Sequence, residues 1–256
     1  MLCGFLASCA GARFGAAPRM YADLDTVTGG CVKSPVLCAV VAGAPESGSA
    51  AQAIGVGVSL ATVVAAEALD LVTEEKVKDV LKECADTARS EVLIKRFGGK
   101  SPTPDECREE MPVPGRGAVT RAMVLGQEMH RVAFKCVEEK LGKVLPGRYS
   151  IEQRYRYDQA TKKTTVLRPE DVEALKRAGR WSELTGTIVP DVVIHKGDPR
   201  YVQAVYDFKF RCVNADALPE WTDYDDGPYR GQNQGKLYQD ALGPVPHLVA
   251  PRLGVF

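Results

Sequence analysis

Two apolar runs, residues 187–194 and 202–210, flank a Lys-Gly-Asp-Pro turn at 196–199. Runs of this length bounded by turn residues predict two adjacent strands. The surrounding patterns supply the rest of a layered domain. Residues 117–141 gather Leu125, Met129, Val132 and Val137 on one broad helical face. Residues 148–157 alternate, with Tyr149, Ile151, Tyr155 and Tyr157 on one side and Glu152, Arg154 and Arg156 on the other, which predicts a strand. Pro169 opens a short helix that Gly179 ends, and residues 229–241 are helical again after an Asp-Asp-Gly-Pro break. The order helix, strand, insertion, two strands, helix predicts an α/β fold with a mixed sheet flanked by helices.

Residues 1–112 read differently. The chain has 33 Lys and Arg against 33 Asp and Glu, but only eight of these lie in residues 1–70. Residues 10–50 are rich in Ala, Gly, Ser and Pro, and residues 47–66 carry no charge. That uncharged stretch suits either a membrane-interacting segment or a buried Gly/Ala-rich helix, since Gly, Ser, Gln and Thr dilute its hydrophobicity. Residues 73–96 predict an amphipathic helix capped by Thr73, with Val77, Val80, Leu81 and Cys84 at helical spacing and Gly98-Gly99 as its stop. Four prolines in 99–116 predict a linker, and Gly99-Lys100-Ser101 lacks the upstream glycine of a phosphate-binding loop. The expected organisation is a signal segment over 1–9, an Ala/Gly-rich helical delivery and linker region over 10–112, and a chemical domain over 113–256. Zero net charge excludes wholesale attraction to nucleic acid and leaves room for a local basic groove, with Arg154, Arg156, Arg230 and Lys236 as candidates.

Eight cysteines with no Cys-x-x-Cys pair, and only three histidines, argue against structural zinc and for disulfides in an exported protein. Leu6-Ala7-Ser8-Cys9 resembles a bacterial lipobox, which makes Cys9 a candidate for lipidation. No basic residue precedes it and the apolar stretch is short, so a chance match in an Ala-rich stretch is the alternative. The expected pairs are Cys31–Cys38, Cys84–Cys107 and Cys136–Cys212. The last would tie the core helix to the strand beyond residue 210.

The chemistry concentrates in three short motifs. Residues on one strand two apart point the same way, so Asp207 and Lys209 project together, and Asp191 can reach them from the preceding antiparallel strand. Two carboxylates and a backbone carbonyl, here that of Phe208, suit a hard cation such as Mg²⁺ or Mn²⁺. A nearby ammonium can stabilise a charged transition state. Gln234 and Tyr238, four apart on one helix, share a face from which they can support Lys209.

Gly186-x-x-x-Pro190-Asp191, Asp207-x-Lys209 and Gln234-x-x-x-Tyr238 together resemble the motif series of the PD-(D/E)XK nuclease superfamily, in its RecB-like branch. The resemblance spans about residues 115–245 and implies a restriction-endonuclease-like core and a metal-dependent phosphodiester hydrolase. It implies a further acid from the first helix, for which Glu128 is the candidate; His130, two residues on, reads more readily as a packed side chain. The whole architecture is similar to polymorphic bacterial toxins, in particular the swapped-inherited-toxin lipoproteins. That likeness implies a lipid-anchored outer-membrane protein of the producer, delivered to the cytoplasm of a target cell. It also implies a nucleic acid substrate and a cognate immunity protein. A repair or phage-type nuclease and a non-enzymatic envelope lipoprotein are the alternatives.

Overall fold

The computed structural model describes residues 61–113 and 117–256 as a mixed α/β arrangement. Cys9, Cys31, Cys38 and the segments 1–9 and 10–50 lie outside the described residues. The elements run β1 (Ala61–Thr62), β2 (Val64–Ala65), α1 (Leu71–Phe97), α2 (Pro104–Arg108), β3 (Glu110–Val113), β4 (Gly117–Thr120) and α3 (Arg121–Val144). There follow β5 (Tyr149–Ile151), β6 (Tyr155–Asp158), β7 (Lys163–Val166), α4 (Pro169–Arg177), β8 (Thr187–Ile188), β9 (Val192–His195) and β10 (Tyr201–Phe208). The chain closes with α5 (Gln234–Leu242), β11 (His247–Ala250) and β12 (Gly254–Val255).

The larger sheet has the order β12-β11-β10-β9-β5, with β2 added in parallel at the start of β10. β9 and β10 pair antiparallel, as the two apolar runs predict, and β10 pairs with β11 in parallel. Every residue of β9 is buried, because both faces of this strand are covered. On one face, Leu81, Cys84, Ala85 and Ala88 of α1 and Leu125, Met129, Ala133 and Val137 of α3 pack on Val192, Ile194, Tyr206 and Phe208. On the other, Val193, Val202 and Val205 meet Tyr155, Tyr157, Tyr229, Leu237 and Tyr238. The smaller sheet, β1-β7-β6-β8, contributes the first two of those tyrosines.

The helix expected over 73–96 begins at Leu71, and its cap is Asp70 rather than Thr73: the Asp70 carboxylate accepts from the Thr73 N–H at 3.0 Å. Gly98 ends it in the left-handed conformation (φ 60°), sending its N–H back to the Ile94 carbonyl while Gly99 reaches Leu93. That is the glycine-closed helix end.

The packing of α1 contradicts a boundary at residue 113, because α1 supplies one wall of the same core as α3. The expected linker is also partly ordered structure. Thr103 caps α2 with a reciprocal box to Glu106, Pro104 sits in the first helical turn, and β3 pairs with β4. Residues 61–66, the end of the uncharged stretch, hold the strands β1 and β2, while 47–60 lie outside the described residues. No helix among the described residues is long and apolar enough to cross a membrane.

Two of the expected disulfides are overturned. Cys84 pairs with Cys136, stapling α1 to α3, and Cys107 pairs with Cys212. The expected Cys84–Cys107 and Cys136–Cys212 rested on closeness along the chain and on a helix–strand contact. The packing of α1 against α3 instead brings Cys84 and Cys136 within 5.5 Å at their Cα atoms.

Candidate active site

Two expected continuous strands are each broken once, and the breaks lie against one another. Residues 148–157 divide at Glu152, where φ turns to 48°, so β5 joins the larger sheet and β6 the smaller. Residues 187–194 divide at Val189–Asp191, where Pro190 interrupts the ladder, sending β8 to the smaller sheet and β9 to the larger. The Glu152 N–H donates to the Asp191 carbonyl at 3.0 Å, joining the two crossings. The candidate residues converge at this seam.

Asp191 stands at the head of β9. Its Oδ2 accepts from the Phe208 N–H at 2.7 Å and lies 3.2 Å from His130 Nε2. His130 Nδ1 donates to the Gly126 carbonyl one turn back on α3, at 2.9 Å. Burial alone would lower the His130 pKa, but the Asp191 carboxylate and these hydrogen bonds outweigh it and raise it.

Asp207 and Lys209 meet as the two-residue spacing requires, with Nζ 2.9 Å from Asp207 Oδ1. The pair is fully buried. Oδ1 faces that ammonium, while Oδ2 lies 3.4 Å from the Tyr238 hydroxyl. Burial dominates the Asp207 carboxyl and pushes its pKa up to about 6, against the pull of Lys209. A carboxyl with a raised folded pKa contributes stability at low pH and loses it as pH rises from its unfolded value near 3.8 through about 6. A ¹³C titration of the Asp207 carboxyl in EDTA should therefore place its midpoint near 6.

Gln234 and Tyr238 on α5 complete the cluster. Gln234 Oε1 accepts from Lys209 Nζ at 2.7 Å, and its Nε2 donates to the Tyr238 hydroxyl at 3.0 Å. Tyr238 in turn donates to the Val189 carbonyl at 3.2 Å. Of the expected site residues, Asp191, Asp207, Phe208, Lys209, Gln234 and Tyr238 are brought together.

Glu128 is not. It faces α1, where Arg96 Nε donates to its Oε2 at 2.8 Å, and that hydrogen bond, with the Arg96 charge behind it, lowers its pKa. Residues 128 and 130 are about 200° apart around a helix, so one side chain or the other can face the sheet, and here it is His130.

A second acid beside the cluster is Glu152, which the sequence pattern assigned only to the outer face of a strand. Its side chain reaches solvent in a recess of about 240 Å³, beside Arg154, Val189 and Lys176. Desolvation by the recess walls, then the Asp191 carboxylate, raise the Glu152 pKa. Arg154 lies in the same recess and donates to Thr187 Oγ1 at 2.5 Å. Of the other expected basic residues, Arg156 is engaged with the Glu183 carbonyl and Lys236 with Asp240.

Among the described residues, no three His, Cys, Asp or Glu side chains form a ready metal cage. The donor chemistry does fit a hard divalent cation. Asp207 is a fully buried carboxylate paired with the Lys209 ammonium, and the Asp191 carboxylate lies close enough to act on it electrostatically. No family model, curated protein or solved structure matches the chain.

Proposed function

We propose that the chain is a divalent-metal-dependent nuclease with a restriction-endonuclease-like catalytic core. The observation that carries this reading is the convergence of Asp191, Asp207, Lys209 and Gln234, from three separate motifs, into one buried hydrogen-bonded cluster. Asp191, Asp207 and the Phe208 carbonyl are the groups that would hold Mg²⁺ or Mn²⁺, with His130 holding Asp191 in place; Glu128 takes no part. Such an ion, when bound, polarises a phosphoryl oxygen and makes its water more acidic.

The chain's own groups do the positioning. Gln234 holds Lys209 with its ammonium beside Asp207, where it can offset negative charge developing on a phosphodiester. Tyr238 braces Gln234 against the Val189 carbonyl, so this side of the site is fixed by α5. Phe208 N–H and His130 together fix the rotamer of Asp191. The toxin setting, with Cys9 lipidation, outer-membrane export, delivery to a target cytoplasm and an immunity protein, rests on the likeness of the leader. The two disulfides are consistent with export.

Incubating the full chain, oxidised and dithiothreitol-treated, with supercoiled plasmid and with tRNA, each with Mg²⁺ or with EDTA, tests the activity. Cleavage in the Mg²⁺ arm alone is the expected result, and intact nucleic acid in every arm overturns the reading. Glu152, in the recess beside Asp191, rather than Glu128 is the acid placed to support the site. Glu152→Gln should lower the cleavage rate by on the order of tenfold, a typical size for loss of a group supporting a metal or its ligands. Glu128→Gln should leave the rate unchanged and cost at most about 1 kcal/mol in a thermal melt, as expected for a partly exposed ion pair.

A further inference from the structure

The side chains of the buried cluster, Asp191, Asp207, Lys209, Gln234 and His130, are each at most 2% exposed. No phosphodiester can reach groups buried to that degree without movement of what covers them. Part of the cover is the segment between β10 and α5, residues 211–233. Trp221 lies over Lys209, with Nζ 5.4 Å from the ring centroid, and packs edge-on against Tyr238 at 5.9 Å. Its ring sits so close on α5 that a Cβ at Gly235 would fall 2.6 Å from it, so glycine there is what lets the indole seat. The Gln234 N–H donates to the Thr222 carbonyl at 2.8 Å, fastening the end of the segment beside the indole.

The other end is fastened covalently. Cys212, three residues beyond Lys209, is bonded to Cys107 of α2, 105 residues earlier. Arg89 of α1 adds a hydrogen bond to the Arg211 carbonyl at 2.6 Å. The two disulfides differ in access. Cys84 is 0% and Cys136 9% exposed, both inside the core; in the other pair Cys107 is 1% exposed, and access is through Cys212, which is partly exposed on the strap itself. Thiol exchange requires an attacking thiolate to reach a sulfur, so the Cys107–Cys212 bond is the one open to attack.

We infer that residues 211–233 form a thiol-released strap, which holds Trp221 over the site while Cys107 and Cys212 are bonded and lets it swing away once they are reduced. The inference rests on the nuclease reading for its purpose but not for its geometry. A dithiol reductant supplies two electrons and two protons. The Cys107–Cys212 bond breaks to two thiols, and the reductant closes to its own disulfide. An exported chain would then be closed in an oxidising compartment and open in a reducing one.

Trp221 and Trp181 are the chain's two tryptophans, so the full chain carrying Trp181→Phe reports on Trp221 alone. Acrylamide quenching of its fluorescence, with circular dichroism on the same samples, should be compared in three states: oxidised, dithiothreitol-treated, and carrying Cys107→Ser with Cys212→Ser. A further chain with Gly235→Ala, cysteines intact, should expose Trp221 without any redox change. Expected is stronger quenching in the reduced, double-serine and Gly235→Ala chains, all still folded. Mg²⁺-dependent plasmid cleavage should rise about tenfold or more in the same chains, as when a competent state populated at ~10% becomes dominant.

Equal quenching in folded oxidised and reduced chains overturns the strap, and so does full cleavage by the oxidised chain. If the double-serine chain fails to fold, the dithiothreitol-treated chain, whose core disulfide is shielded, decides the matter. Release of Trp221 with no cleavage in any state leaves the strap standing and overturns the nuclease reading instead.

Discussion

Lys209→Ala and Asp207→Asn should each lower Mg²⁺-dependent cleavage by on the order of 10³-fold, the scale for removing a preorganised charge from a water-poor site. Asp191→Ala should do the same. The variants differ in what they leave behind. Asp207→Asn keeps the shape of the side chain and an oxygen beside Tyr238 and Gln234. Lys209→Ala removes an ammonium that Gln234 and Asp207 both hold, and leaves Asp191 with its Phe208 and His130 partners. Melting curves should show folded protein in both, with the midpoint lowered because each change leaves a buried charge without its partner. A Lys209→Ala chain that cuts at a near-normal rate would remove Lys209 from the chemistry.

Cutting the chain at residue 113 is expected to destroy the fold rather than isolate a domain. The α1 residues Val77, Leu81, Cys84, Ala85, Ala88 and Val92 are at most 3% exposed, and all of them belong to the α3 core. Each large aliphatic side chain among them contributes roughly 1.5–3 kcal/mol by burial. Their joint loss approaches the 5–15 kcal/mol that typically separates folded from unfolded states. The Cys84–Cys136 bond goes as well, worth about 2–4 kcal/mol in typical cases. Residues 113–256 alone should give no cooperative thermal transition, while residues 61–256 should give one. A sharp transition in the shorter chain would refute this account of the core.

The contrast between elements shows what a linear pattern carries. The amphipathic face of α1 is legible in Val77, Leu81 and Cys84, because helix periodicity is local. What that face packs against is not, since the partner α3 lies across a proline-rich stretch that reads as a linker. Cysteine pairing failed for the same reason, as nearness along the chain stood in for nearness in space.

The strands were found but their breaks were not. Tyr155 and Tyr157 keep the alternation of Tyr149 and Ile151, and one residue at φ 48° leaves no mark on a period of two. The site itself was legible wherever backbone geometry alone fixes spacing, as with Asp207 and Lys209 or Gln234 and Tyr238. It was not legible where a helix chooses which neighbour faces inward, as between Glu128 and His130.

The seam at Glu152 and Asp191 also governs how such a chain can vary in length. Each of the two crossing segments belongs to both sheets, so an inserted or deleted residue at 152–154 or 189–191 shifts register on two ladders at once. A shift of one residue turns a strand's buried side chains outward. The turn at 159–162 and the stretch from Pro169 to Thr185 lie between the crossings and carry neither. Length changes among descendants of this sequence should gather in those two stretches, and the distance from Gly186 to Asp191 should stay fixed while the distance from Glu152 to Gly186 drifts.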